Sequence, residues 1–126
     1  MIVLDTAALL YLLFQRERLS GVAMQAISTA DALLLSSISI WEIAVKVKKK
    51  KLVLPMSPRE LTSRLHGVDR VRFAAVSDEI WLTAADLEWS HQDPADRVIV
   101  ATAQQWRCHL VTSDTVIRAY YPLSIW

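Results

Sequence analysis

The chain has 126 residues, 53% of them hydrophobic and 21% charged, which is enough to bury a core as one domain spanning 1–126 and excludes a disordered polymer. A formal charge of +1 excludes the strongly basic balance that marks general nucleic-acid binders, so any such contact must come from local charge placement. Cys108 is the single cysteine, which rules out an intrachain disulfide and a cysteine-rich zinc site and fits a reducing compartment.

The first segment, Met1–Phe14, is apolar, but it lacks a basic leading region and carries Asp5 inside the run, so it reads as mature structure and not as a signal peptide. Ile2–Leu4 is β-prone and Ala7–Phe14 is helix-forming, which places Asp5 at a strand-to-helix junction. A helix is expected over Gly21–Ala30, then a strand over Leu33–Leu35 buried on both faces, ending at Ser36–Ser39. From Ile40 to Lys50 the apolar residues Ile40, Ile43, Ala44 and Val47 recur at helical spacing, and Ser39 with Glu42 matches a capping box. Pro55 and Pro58 precede a short helix over Arg59–Leu65, a strand over Val71–Val76 and a helix over Asp78–Glu88.

Asp93-Pro94 opens a long helix to Trp106, with the proline where its missing N–H does no harm. The strand Leu110–Thr112 is followed directly by Asp114, a short helix over Thr115–Ala119 and the apolar tail Tyr120–Trp126, which suits docking on the domain or on a partner. No stretch reaches the roughly 18 uninterrupted apolar residues of a membrane span, so a soluble, cytoplasmic protein is expected. Strands alternating with helices predict an α/β fold whose mostly parallel sheet is covered on both faces. In such sheets ligands bind beyond the carboxyl ends of the strands.

Four acids are expected at that edge: Asp5 and Asp114 after strands, Glu42 and Asp96 in first turns of helices. Singly, each is better explained as a helix cap or a favourable charge beside the helix dipole than as a catalytic group. Together, several carboxylates cannot stay ionised without compensation, and a hard divalent cation such as Mg²⁺ or Mn²⁺ supplies it. An ion so held can activate water and neutralise charge on a phosphodiester, the chemistry of a nuclease. The histidines His66, His91 and His109 lack metal-ligand spacing and read as structural or surface residues, as Cys108 reads as core. Lys46, Lys48 and Lys49, within the basic end of the Glu42 helix, are candidate contacts for nucleic-acid phosphates, a solvated helix end explaining them equally, and Arg97 beside Asp96 could meet a carboxylate or a phosphate or form a surface ion pair. Trp41, Trp81, Trp89, Trp106 and Trp126 are expected to fill core or interface positions.

Four blocks carry a family resemblance across almost the whole chain: Ile2-Val3-Leu4-Asp5-Thr6, Ser36 to Ala44 around Trp41-Glu42, His91-Gln92-Asp93-Pro94-Ala95-Asp96-Arg97 with Ala101-Thr102-Ala103, and Leu110-Val111-Thr112-Ser113-Asp114. In order and spacing they resemble the PIN-domain family, particularly the VapC-type toxins of toxin–antitoxin systems. Ala95 and Lys50 depart from the pattern, standing where relatives often have an aromatic residue and a glycine. The resemblance implies a three-layer α/β/α sandwich and an endoribonuclease dependent on Mg²⁺ or Mn²⁺. By it Asp5, Glu42, Asp96 and Asp114 are the catalytic and metal-site acids, Thr6 and Ser113 supporting polar groups, and Asp93 a helix cap. It further implies inhibition of translation through RNA cleavage, a homodimer and a VapB-like antitoxin partner. The alternatives are a module of the same fold that binds RNA or protein with little catalysis, and an α/β phosphatase. Ala7 breaks the Asp-x-Asp pattern of aspartyl-phosphate hydrolases, which weighs against the phosphatase.

Overall fold

In the computed structural model, which describes residues 1–126, three apolar runs form the middle of a sheet whose five strands all pair in parallel. The strands are β1 (Ile2–Leu4), β2 (Leu33–Ser36), β3 (Val71–Ala74), β4 (His109–Val111) and β5 (Ser124–Ile125), in the order β3-β2-β1-β4-β5. Val3 is level with Leu34 on one side and Leu110 on the other. Side chains alternate across a strand, so Ile2, Leu4, Leu33, Leu35 and Val111 join one buried cluster, and Val3, Leu34 and Leu110 join another. Both faces are therefore covered, which explains why these strands read as unbroken apolar runs.

The helices are α1 (Thr6–Phe14), α2 (Gly21–Thr29), α3 (Ile38–Lys48), α4 (Pro58–His66), α5 (Asp78–Asp86), α6 (Pro94–Trp106) and α7 (Thr115–Tyr120), with one 3₁₀ turn at Arg16–Arg18. The first cluster takes Ala8 and Leu9 from α1, Ala23 and Ile27 from α2, Ile43 from α3 and Leu61 and Leu65 from α4. The second takes Ile99, Val100 and Ala103 from α6 and Ile117 from α7. Ile80 and Ala84 of α5 pack on Val98 and Ala101 of α6. The layering is the expected α/β/α sandwich.

The start of α3 differs from expectation. The helix begins at Ile38, so Ser39 lies inside it, Glu42 falls in its second turn and no Ser39–Glu42 capping box forms. The reason is that the two preceding serines are committed elsewhere: Ser36 Oγ accepts from Ile38 N–H, and Ser37 Oγ accepts from Val76 N–H beyond β3. At its other end α3 closes with Lys50 in the left-handed region, φ 58°, while Lys51 N–H reaches back to Lys46 O at 2.9 Å. Only glycine adopts that conformation freely, so Lys50 carries a local strain there. The apolar tail also resolves differently, since Ser124–Ile125 becomes the edge strand β5 on β4.

The chain builds outward from β1 to β2 and β3, then crosses back to place β4 on the other side of β1. The direction of winding thus reverses between β1 and β4, where a parallel sheet opens a crevice beyond its carboxyl edge.

Candidate active site

Asp5 follows β1 directly and Asp114 follows β4 by three residues, so both reach that crevice. Their local roles are helix caps: Asp5 Oδ1 accepts from Ala8 N–H at 2.7 Å, and Asp114 Oδ1 accepts from Val116 N–H at 2.8 Å. Asp93 caps α6 in the same way, accepting from Asp96 N–H at 2.9 Å, with Pro94 as first helical residue and Asp96 in the first turn. Each of these caps is made through Oδ1 of its carboxylate.

A cavity of about 340 Å³ joins these residues, lined by Asp5, Thr6, Ala7, Glu42, Lys46, Asp93, Asp96, Ser113 and Asp114. All four sequence-predicted acids and both supporting residues, Thr6 and Ser113, are thus brought together. Glu42 arrives from the second turn of α3 and is oriented by a buried hydroxyl relay. The Thr6 hydroxyl donates to Glu42 Oε1, and its oxygen lies 2.8 Å from Ser39 Oγ, which therefore donates to Thr6. Ser39 thereby gains a use other than the cap read from its spacing. Lys46 Nζ lies 3.7 Å from the second oxygen of Glu42.

Crowding has electrostatic consequences. Asp5 is 5% exposed, and burial pushes its carboxyl up from 3.8 to about 6; Asp96 and Glu42 add to the rise, while hydrogen bonds involving Thr112 and the Ala8 N–H oppose it. Burial raises Asp96 as well, with Asp93 and Asp114 contributing, against a hydrogen bond to His91. Five carboxylates face a single ammonium, that of Lys46. They line the walls of the cavity rather than meeting at a point, and no three His, Cys, Asp or Glu groups in the chain are grouped so as to hold an ion as they stand. The donor chemistry nevertheless fits a hard divalent cation, being all oxygen and short of positive charge at the buried Asp5.

Two expectations about basic residues change. Lys48 and Lys49 lie at the far end of α3 and do not line the cavity. Arg97 does not face a ligand at all: its guanidinium turns back to donate to the carbonyls of Ala84, Ala85, Leu87, Trp89 and His91, at 2.7–3.3 Å. Its donors are consumed in holding the loop before α6, so it is corrected from an RNA contact to a structural clamp. His91, read as merely structural or surface, instead places Nε2 2.7 Å from Asp96 Oδ2. Its position five residues before Asp96, across an Asp-Pro cap, was the available signal. Cys108 is buried, as expected. Trp89 packs on Tyr120 and Trp126 against Tyr11, but Trp41, Trp81 and Trp106 are about half exposed or more, so they are not core.

The PIN-domain family profile matches residues 2–122. The chain belongs to the PIN-domain family. A curated relative, Ribonuclease VapC22 of Mycobacterium tuberculosis, is 31% identical over 99% of this chain and 98% of its own. Among solved structures, a toxin–antitoxin complex from Klebsiella pneumoniae superposes with a TM-score of 0.71 at 25% identity, covering 100% of this chain and 97% of that one. VapC20 of Mycobacterium tuberculosis, a sarcin–ricin-loop-cleaving toxin, superposes with a TM-score of 0.70 over 94% of each chain; at 13% identity it speaks for the PIN fold alone. This PIN-domain chain has no helix long and apolar enough to cross a membrane.

Proposed function

We propose that this PIN-domain protein is a VapC-type endoribonuclease, the toxin of a toxin–antitoxin pair, and that Asp5, Glu42, Asp96 and Asp114 form its catalytic site around Mg²⁺ or Mn²⁺. The observation that carries the reading is the meeting of four carboxylates, from four separate segments, in one crevice at the β1/β4 switch point. The likeness over nearly the whole chain to a relative named as a ribonuclease supports RNA as the substrate.

The four acids would hold the cation, which when bound supplies charge neutralisation at the phosphodiester and activation of the attacking water. The chain's own groups prepare that chemistry. Thr6 holds Glu42 in one orientation, and Ser39 keeps Thr6 pointed at it. Asp5 and Asp114 are fixed by the N–H groups they cap, so little side-chain entropy remains to be lost on binding. The N-termini of α1, α6 and α7 lie at the same edge, and their dipoles favour negative charge, from the acids and from an arriving phosphate alike. Lys46 at the cavity wall, with Lys48 and Lys49 along the same helix, serves as a backbone-phosphate contact.

Trp41 and Trp81 share a second, apolar cavity wall with Ile38 and Val76, and Leu82 is exposed beside Trp81. That face suits a homodimer, and the solved complex similar to this chain supports a small antitoxin as the other partner. A cytoplasmic location goes with this role.

The test is incubation of purified protein with RNA in Mg²⁺, Mn²⁺ or chelator. Metal-dependent cleavage lost in Asp5→Asn and Asp96→Asn is the expected result; cleavage that survives both substitutions would remove the site from consideration. RNA binding without cleavage under every metal condition would favour a non-catalytic binding module.

A further inference from the structure

We infer that His91 is a positioning residue for Asp96, an imidazole held in place by the loop before α6 so that one carboxylate oxygen is occupied and the other is aimed into the acidic cavity. The inference rests on the reading of Asp96 as a cation ligand. His91 Nε2 lies 2.7 Å from Asp96 Oδ2, and a carboxylate that ligates a cation can only accept, so in that state the Nε2–H donates to it. Both side chains are about three-quarters covered, at 25% and 20% exposure.

The contact is built from three directions. The His91 ring lies against Trp89 with centroids 4.8 Å apart, and Trp89 in turn stacks on Tyr120 of α7 at 4.5 Å and 10°. The backbone carbonyl of His91 accepts from Arg97 at 3.0 Å, one of the five carbonyls that guanidinium gathers. Arg97 directly follows Asp96, so the clamp ties the loop to the segment it serves. That loop then delivers two groups to the same residue: Asp93 to the Asp96 N–H and His91 to the Asp96 carboxylate.

Stability alone does not account for this arrangement, because a partly exposed pair of this kind adds little to the stability of a fold. A ligating carboxylate, by contrast, depends on the hydrogen bond to its non-ligating oxygen, and loss of such a partner typically weakens metal binding by roughly 10- to 100-fold.

The experiment compares full-length wild type, His91→Phe and His91→Gln at one fixed pH near neutrality. Phenylalanine keeps a ring against Trp89 and removes the N–H, whereas glutamine offers an N–H donor in its place. Mn²⁺ affinity is measured by calorimetry without RNA, alongside kcat and KM for RNA cleavage. His91→Phe is expected to weaken Mn²⁺ binding by roughly 10- to 100-fold and to lower kcat with little change in KM, and His91→Gln to recover most of both. Wild-type affinity for Mn²⁺ in His91→Phe overturns the inference while leaving the proposed function standing. Equal losses in the two variants also overturn it, since packing would then be the cause. Absence of Mn²⁺ binding in wild type overturns both the inference and the metal-dependent reading of the site.

Discussion

Replacing Asp5 with asparagine should stabilise the metal-free protein while abolishing cleavage. Asp5 is 5% exposed, and its carboxyl is raised from 3.8 to about 6 by burial and by its acidic neighbours. The folded-state value lies above the unfolded one, so the stability gained from protonated Asp5 is fully present below about pH 3.8 and is lost as pH rises through about 6. At pH 7.5 the ionised side chain costs the fold about 3 kcal/mol, as an upper figure. Asparagine has nearly the same shape, its carbonyl oxygen can still accept from the Ala8 N–H, and it carries no charge to desolvate. Asp5→Asn should therefore unfold at higher urea than wild type at pH 7.5 in chelator, by up to about 3 kcal/mol, corresponding to a Tm rise of roughly 10 °C in a domain of this size. The gap should close by pH 4, where wild-type Asp5 is protonated. Cleavage should fall on the order of 100-fold or more. An Asp5→Asn variant less stable than wild type at pH 7.5, or a gap equally wide at pH 4, would refute the electrostatic account.

The same reasoning makes Mn²⁺ a stabiliser: at 100 times its Kd the ion should add about 2.7 kcal/mol to the folded state, seen as a Tm rise at pH 7.5 that shrinks at pH 5 as protons compete for the carboxylates. Lys50→Gly should relieve the left-handed residue closing α3 and raise stability by about 1 kcal/mol, measured by urea unfolding, with RNA cleavage unchanged. Arg97→Ala should cost roughly 2–4 kcal/mol by leaving carbonyls of the α5–α6 connection without donors; a variant of unaltered stability whose RNA binding alone is weakened would restore Arg97 as a phosphate contact. Thr6→Val should lower kcat by about tenfold through loss of the bond that orients Glu42, and full activity in that variant would show that Glu42 needs no such support.

What could be read from the sequence follows how local its cause is. The strands β1, β2 and β4 were legible because burial on both faces demands apolar residues at every position, and the Asp93-Pro94 start of α6 because cap and proline act within one turn. Ser39-Ile40-Trp41-Glu42 has the spacing of a capping box yet does not form one, since Ser37 answers to Val76 across the chain and Ser39 to Thr6 on another helix. β5 is two residues long and exists only because β4 offers an edge to pair with. Arg97 shows the same limit in a charge: next to an acid it looks like a surface ion pair, but its direction is set by carbonyls up to 13 residues away. Within the site, the four acids were legible as a set, whereas the orientation of each depends on groups such as Ser39 and His91 that make sense only once the chain is folded.

Helix capping and cation binding, which compete as explanations for Asp5 and Asp114 when only the sequence is considered, become one device in three dimensions. A cap takes one oxygen of a carboxylate and aligns it with the first N–H groups of a helix. That fixes the plane of the carboxyl group at the mouth of the crevice. Because β1 and β4 are neighbours, their caps face one crevice, and the first turn of α6 joins them there. Asp96 sits one turn in and cannot cap, so it needs another constraint, and His91 provides the hydrogen bond that the caps obtain from backbone. Glu42, in the second turn of α3, obtains its own from Thr6. Each of the four acids is thus restrained by a separate donor before any ion arrives. Electrostatic preorganisation of this kind is costly by itself, as the raised Asp5 carboxyl records, and that cost is what a divalent cation would relieve on binding.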